Sequence, residues 1–211
     1  MNFRLLATAA VSAGLLAGCA NPERSRDVGN PAIAGAVLAQ QACSLCHGVH
    51  GVSESPNFPN LAGQQPDYVV AQLTEFRSHS RQDPAGFEYM WGVARRLTDA
   101  QIAGIAAYYA AQPPARQRAE GSAARIEQGR KLFTEGAPDR GVPACGSCHG
   151  DRGQGLATFP RIAGQHSDYL AKQLLVFQRT DERPQGSVMK TVAHALTPED
   201  IANAAAFLQT L

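Results

Sequence analysis

The run "CGSCHG" at residues 145–150 has the pattern Cys-x-x-Cys-His, and nearly the same run, "CSLCHG", stands at residues 43–48. Three kinds of chemistry use such a run: a zinc site, a redox-active dithiol and the covalent attachment of a haem. Other features of the sequence are needed to distinguish these three possibilities.

The second part of the chain repeats the first. "ACSLCHGVHG" at 42–51 corresponds to "ACGSCHGDRG" at 144–153, and "FPNLAGQQPDYVVAQL" at 58–73 corresponds to "FPRIAGQHSDYLAKQL" at 159–174. "MWGVARRLTDAQIAGIAAYY" at 90–109 corresponds to "MKTVAHALTPEDIANAAAFL" at 189–208. Such self-similarity indicates a duplicated structural unit. We therefore predict a first copy at 31–112, a linker at 113–121 and a second copy at 122–211.

Each copy has the pattern of a small helical unit. An opening helix is predicted at about 32–42 in the first copy and 122–135 in the second, and a middle helix begins near Asp67 and Asp168 with apolar residues at helical spacing. Thr98 and Thr197 have the position of N-caps for a last helix. No segment shows convincing strand alternation, so the predicted fold class is all-α, built twice.

The N-terminus resembles an export signal. Residues 1–18 contain one basic residue and then an apolar run that is short for a membrane-spanning helix, which is the pattern of a signal peptide. The following Cys19 resembles the acylated cysteine of bacterial lipoproteins; the alternative is ordinary secretion with Cys19 incidental. Residues 19–30 are polar and are predicted to form a tether. Either interpretation places the mature protein outside the cytoplasm, in the periplasm.

The ligand inventory favours haem over the other two chemistries. A structural zinc ion needs four ligands, and each motif supplies three; a thioredoxin-like dithiol would follow a strand, and none is predicted. Haem attachment needs two thiols for the vinyl groups and an adjacent imidazole for the iron. We therefore expect two covalently bound haem c groups. The attaching cysteines are Cys43, Cys46, Cys145 and Cys148, and the proximal histidines are His47 and His149.

The small number of methionines in the chain points to a candidate for the sixth ligand of each haem iron. The chain has three methionines; Met1 is lost with the signal, and Met90 and Met189 occupy matched positions just before the last helix of each copy. An isolated methionine is usually core filling, but one matched methionine per copy favours ligation of iron. The histidines that compete for this role lack a histidine at the matched position: His50, His79, His166 and His194.

Other matched residues are candidates for the surroundings of the haem. The carbonyl groups of Pro59 and Pro160 lie where they could accept the second N–H of the proximal histidines. Polar residues of the middle helix either contact the haem or simply solvate that helix: Tyr68, Tyr169, Gln72, Gln173, Arg77 and Arg179.

These motifs together resemble the dihaem cytochromes c4, exported bacterial proteins with two class I cytochrome c domains. The resemblance covers about residues 31–211 and rests on both Cys-x-x-Cys-His runs, "FPNLAGQ" and "FPRIAGQ", and the methionine before each final helix. It implies two tandem cytochrome c-like domains. It also implies that Cys43, Cys46, His47 and Met90 serve one haem, and Cys145, Cys148, His149 and Met189 the other.

The resemblance implies an electron carrier rather than an enzyme. With both axial sites filled there is no position for a small-molecule substrate, and the expected partners are redox proteins, typically a quinol-oxidising complex and a terminal oxidase or reductase. A formal charge of +1 without a basic stripe gives no indication of nucleic-acid binding. The alternatives are the cytochrome subunit of a periplasmic dehydrogenase, a dihaem peroxidase, which would need an open iron, and a haem-based gas sensor.

Overall fold

The computed structural model describes residues 26–114, 116–179, 181, 183 and 186–211. The predicted signal peptide, Cys19 and the first part of the predicted tether lie outside these residues. In the part of the chain that the structure describes, the regular elements are helices and no β-strand occurs; two isolated bridges join Ala137 to Val142 and Leu156 to Phe159. The predicted all-α fold class is confirmed.

The first copy contains five α-helices and two short π-helical segments. In chain order they are α1 (Gly35–Leu38), a π segment (Ala39–Cys43), α2 (Ser44–His47), α3 (Pro66–Ser78), a second π segment (Gly86–Met90), α4 (Trp91–Ala94) and α5 (Asp99–Ala110). The predicted opening helix is thus real and continues into the motif. The π segments were not predicted, and each ends at a candidate functional residue, Cys43 or Met90, which agrees with the frequent occurrence of π-bulges at functional sites.

The second copy repeats this plan with differences in its connections. Its helices are α6 (Ala123–Glu135), a 3₁₀ turn (Pro138–Arg140), α7 (Gly146–His149), α8 (Ser167–Arg179), α9 (Ser187–His194) and α10 (Pro198–Gln209). The sequence did not predict α9, which contains Met189.

In each copy the first helix crosses the last at a glycine. A Cβ atom on Gly35 would lie 2.2 Å from the carbonyl oxygen of Gln101, and one on Gly129 would lie 2.0 Å from the carbonyl oxygen of Asn203. Only glycine permits so close an approach of two backbones. The buried side chains of the last helix, Ile102, Ile105 and Tyr109 in the first copy, then complete the core around this crossing.

The last helices begin where the sequence predicts. Thr98 accepts from the backbone N–H of Gln101, whose side chain in turn accepts from the backbone N–H of Thr98, and Thr197 and Asp200 form the same reciprocal pair. Each such capping box satisfies two backbone donors that a helix start otherwise leaves without partners.

The two copies pack against each other through matched glutamines. Gln64 accepts from the backbone N–H of Arg161 at 2.7 Å and donates to its carbonyl at 2.9 Å. Gln165 makes the equivalent pair with the backbone of Asn60, at 2.8 and 3.0 Å. Because each copy contacts the backbone of the other in the same way, the interface has approximate two-fold symmetry.

None of the helices among the described residues combines the length and apolar character needed to cross a bilayer.

Candidate haem-binding sites

The two motif histidines have the same buried setting. His47 and His149 end α2 and α7, and they are 9% and 7% exposed. Nδ1 of His47 lies 2.9 Å from the carbonyl oxygen of Pro59, and Nδ1 of His149 lies 2.9 Å from that of Pro160. A carbonyl only accepts, so Nδ1 carries the proton and donates. Nε2 of each ring is therefore left with a lone pair, the arrangement of a metal-ligating histidine. The predicted pairing of histidine with proline carbonyl is confirmed.

Burial lowers the pKa of His47 and of His149, although the hydrogen bond to the proline carbonyl opposes this shift. Both rings are consequently neutral at ordinary pH, which is the form that binds iron.

The motif cysteines do not have the properties of a redox dithiol. No disulfide bond joins Cys43 to Cys46 or Cys145 to Cys148. Burial, together with the neighbouring thiol of the same motif, raises the pKa of Cys43 and of Cys145 to about 11, whereas a reactive dithiol needs a lowered pKa. Among the described residues no three His, Cys, Asp or Glu side chains converge as a metal cluster. A zinc site formed by the motif residues therefore has no support in the geometry.

The two methionines are both partly buried. Met90 ends the second π segment and packs against the hydrophobic cluster of the first copy, which also contacts Cys43 and Trp91. Met189 lies in α9.

The competing histidines are engaged elsewhere. His79 stacks on Trp91 with ring centroids 4.4 Å apart, and Nε2 of the buried His166 lies 2.8 Å from the hydroxyl of Ser53 in the other copy. Nδ1 of His50 lies 3.2 Å from Oε1 of Gln112, and Nδ1 of His194 lies 2.8 Å from the carbonyl of Lys190.

Two buried arginines between the copies were not predicted from the sequence. Arg81 binds both carboxylate oxygens of Asp83, at 2.8 and 3.0 Å, and donates to Oε1 of Gln72 at 2.7 Å. Arg183 donates to the same Oε1 at 2.9 Å and to the hydroxyl of Tyr68 at 3.2 Å. Both arginines also donate to Gln173. We call this set the arginine network; its members are Tyr68, Gln72, Arg81, Asp83, Gln173 and Arg183.

The middle-helix residues named from the sequence have different surroundings. Tyr68, Gln72 and Gln173 lie in the arginine network, Tyr169 lies beside the charges of Arg81 and Arg183, and Arg179 is exposed. Arg77 instead donates to the carbonyl of Leu97 at 2.9 Å and pairs with Asp99 at 2.7 Å. Its role is therefore to hold the start of α5.

These residues fit a haem. Each copy supplies a neutral imidazole, a thioether and two thiols, and the interface supplies buried cations. The side chain of Arg183 forms no ion pair within the described residues, and its buried Nε has no hydrogen-bond partner there. A buried guanidinium needs an anionic partner, and the propionate carboxylates of a haem are groups of that kind.

Comparison with known proteins agrees with the assignment of a haem to each copy. The family model described as cytochrome c matches residues 32–111 and 126–211. Cytochrome c4 of Thiocapsa roseopersicina is 40% identical over 190 residues, covering 87% of this chain and 94% of the relative. The chain belongs to the cytochrome c4 family. As a member, it carries two covalently bound haem c groups and is a dihaem electron carrier.

A solved structure and a second type of relative extend this result. The crystal structure of reduced recombinant cytochrome c4 from Pseudomonas stutzeri superposes with a TM-score of 0.76 at 36% identity, covering 84% of this chain and 96% of that one. A thiosulfate dehydrogenase electron acceptor of Stutzerimonas stutzeri (strain A1501) is 34% identical over 171 residues, covering 79% of this chain and 77% of the relative.

Proposed function

We propose that this chain is a periplasmic carrier that takes single electrons from a quinol-oxidising complex and delivers them to a terminal oxidase or reductase. In this proposal His47 and Met90 ligate the iron of the first copy, and His149 and Met189 that of the second. Cys43 and Cys46, and likewise Cys145 and Cys148, form the thioether bonds. The observation that carries the proposal is the repetition, in both copies, of a buried neutral histidine fixed by a proline carbonyl together with one methionine.

When bound, each haem supplies a one-electron couple. The carbonyl of Pro59 fixes the orientation of the His47 ring through Nδ1, and the carbonyl of Pro160 does the same for His149. A histidine held in this way would rearrange little when the bound haem gains or loses an electron, and ligation by Met90 or Met189 would raise the reduction potential. The chain then needs no catalytic acid, base or nucleophile of its own and binds no small-molecule substrate.

The proposed organisation follows the sequence predictions: a signal peptide at 1–18, a tether at 19–30, domains at 31–112 and 122–211, and a linker at 113–121. We further propose that Cys19 is acylated and anchors the protein to a membrane. Incorporation of radiolabelled palmitate in the expressing bacterium tests the anchor, and Cys19→Ala should abolish both the label and membrane association. Labelling that is unchanged in this variant would contradict the anchor.

Replacing the methionines one at a time tests the axial ligands. In the ferric holoprotein, Met90→Ala and Met189→Ala should each remove about half of the weak long-wavelength thioether band, because in each variant one of the two haems loses its sulfur ligand. The remaining haem should stay low-spin. An unchanged band in either variant would mean that the substituted methionine is core filling.

A separate observation supports a second candidate function. The relative from Stutzerimonas stutzeri that accepts electrons from thiosulfate dehydrogenase aligns with 79% of this chain, so the chain is also a candidate acceptor for a periplasmic dehydrogenase. Ferric holoprotein should be offered separately to quinol with a quinol-oxidising complex and to thiosulfate with a thiosulfate dehydrogenase. Faster reduction in the first assay supports the carrier function, and faster reduction in the second supports the acceptor function.

A further inference from the structure

A buried carboxyl group lies beside the arginine network without a hydrogen-bond partner. Glu75 lies on α3, three residues after Gln72, and is 4% exposed. Neither of its carboxyl oxygens forms a hydrogen bond to any residue that the structure describes. An ionised carboxylate in such a position is costly, and a buried group of this kind tends to hold a proton instead.

The second copy shows that packing does not require this carboxyl. The matched helix, α8, places Val176 where α3 places Glu75, while Gln72 matches Gln173 and Phe76 matches Phe177. Val176 is 0% exposed, so an apolar side chain fills the equivalent space. The carboxyl is therefore a property of the first copy alone.

The charges around Glu75 act in opposite directions. Burial raises the pKa of Glu75, the positive charges of Arg183 and Arg81 lower it, and the negative charge of Asp83 raises it again. Asp83 already neutralises Arg81 through two hydrogen bonds. The net effect favours the protonated form while keeping two cations close enough to support the ionised one. The protonation of such a group responds to any further change of charge nearby.

Glu75 also lies next to the interior of the first copy. Its neighbour in the chain, Phe76, belongs with Leu73 to the hydrophobic cluster against which Met90 and Cys43 pack. A change of one charge at an iron bound there would therefore act on Glu75 across the protein interior, where charges are screened less than in water.

We propose that Glu75 is a redox-linked proton site, which binds a proton when the haem of the first copy is reduced and releases it on oxidation. This inference rests on the proposed function. The donor complex supplies the electron that converts Fe(III) to Fe(II), and solvent supplies the proton, which forms an O–H bond with the Glu75 carboxylate. The net charge of the site is thus the same before and after reduction.

The direction of the effect is fixed by charge. The ferric haem has one more positive charge and favours the carboxylate, so the pKa of Glu75 is higher when the haem is ferrous. At pH values between the pKa of Glu75 with a ferric haem and its pKa with a ferrous haem, the reduction potential of the first haem falls as pH rises. For a one-electron couple the limiting slope is about 59 mV for each tenfold change in proton concentration.

The test is spectroelectrochemical titration of both haems in the holoprotein at a series of pH values. Wild type should show a pH-dependent potential for one haem. Glu75→Gln should make that potential independent of pH, and Glu127→Gln, at an exposed residue paired with Arg130 on α6, should leave the wild-type dependence. Glu75→Val, which copies the second copy's residue, serves as a second variant in case the glutamine amide disturbs folding.

Two results would overturn the proposal: potentials that do not depend on pH in wild type, or a pH dependence that persists in the Glu75 variants. The second result would assign the proton to another group, such as a haem propionate. Proton release or uptake per electron, measured with a pH indicator in weakly buffered solution, gives an independent readout. The same spectra show whether both haems reduce reversibly in a low-spin state, so the carrier function is judged separately from the proton site.

Discussion

Replacing Asp83 by Asn removes the negative partner of a fully buried ion pair. The side chains of Arg81 and Asp83 are 3% and 1% exposed and are joined by two hydrogen bonds. Losing one member of a buried pair leaves an uncompensated charge, at a cost of about 3–5 kcal/mol. We expect Asp83→Asn to lower the free energy of unfolding by about that amount.

The chain provides a matched control in the ion pair between Arg77 and Asp99. The Asp99 side chain is 91% exposed, so Asp99→Asn should cost less than about 1 kcal/mol. Urea unfolding of both holoprotein variants and wild type, followed by circular dichroism, measures the difference. If Asp83→Asn destabilises the protein no more than Asp99→Asn does, the arginine network does not have the energetic role assigned to it.

The same pair predicts how stability depends on pH. Burial alone would raise the pKa of Asp83, but the hydrogen bonds and positive charge of Arg81, with the charge of Arg183, hold it below its ordinary value. Its contribution to stability is therefore complete above the pKa of an unfolded aspartate and is lost as pH falls through the lower pKa of the folded state. Asp83→Asn should remove this part of the acid-induced loss of stability.

Four further substitutions, one of them a control, test the fold by the free energy of unfolding. Gly35→Ala should cost about 1–3 kcal/mol because its Cβ would lie 2.2 Å from a backbone oxygen, whereas Gly92→Ala, with no atom within 4 Å, should be neutral or stabilise α4 by up to about 1 kcal/mol; equal effects would contradict the close helix crossing. Thr98→Ala should cost about 1 kcal/mol through loss of the capping box, and no change would mean that the cap is dispensable. Gln64→Leu should cost about 1–3 kcal/mol by leaving the backbone of Arg161 without partners, and a neutral result would show that the interface does not depend on the glutamine pairs.

Features encoded by local sequence were predicted well. The capping boxes at Thr98 and Thr197 depend on residues three positions apart, and the helices they start were predicted at the correct residues. The pairing of His47 with the Pro59 carbonyl was also accessible, because a proline follows the motif histidine at nearly the same spacing in both copies, 12 residues after His47 and 11 after His149.

Features that depend on how the two copies pack were missed. Arg81 and Arg183 follow the matched residues Phe76 and Phe177 by five and six residues, and each guanidinium lies over that phenylalanine ring. What they contact, however, depends on how the two copies meet, because Arg183 donates to Tyr68 and Gln72 of the first copy and Arg81 donates to Gln173 of the second. No local pattern encodes that. Glu75 was missed for a related reason: the helical pattern alone predicts a solvated residue there, and the positive charge of Arg183 lies near it only because the two copies meet. The π segments have no sequence signature that periodicity could have detected.

The most direct test of the central claim is the optical spectrum of the reduced holoprotein with and without carbon monoxide. If His47 with Met90 and His149 with Met189 fill the axial positions, both haems are low-spin and the spectrum does not change when the gas is added. A rapid shift of one haem to a carbon monoxide complex would mean that an iron has an open position, which would contradict the carrier function and favour a peroxidase or a gas sensor.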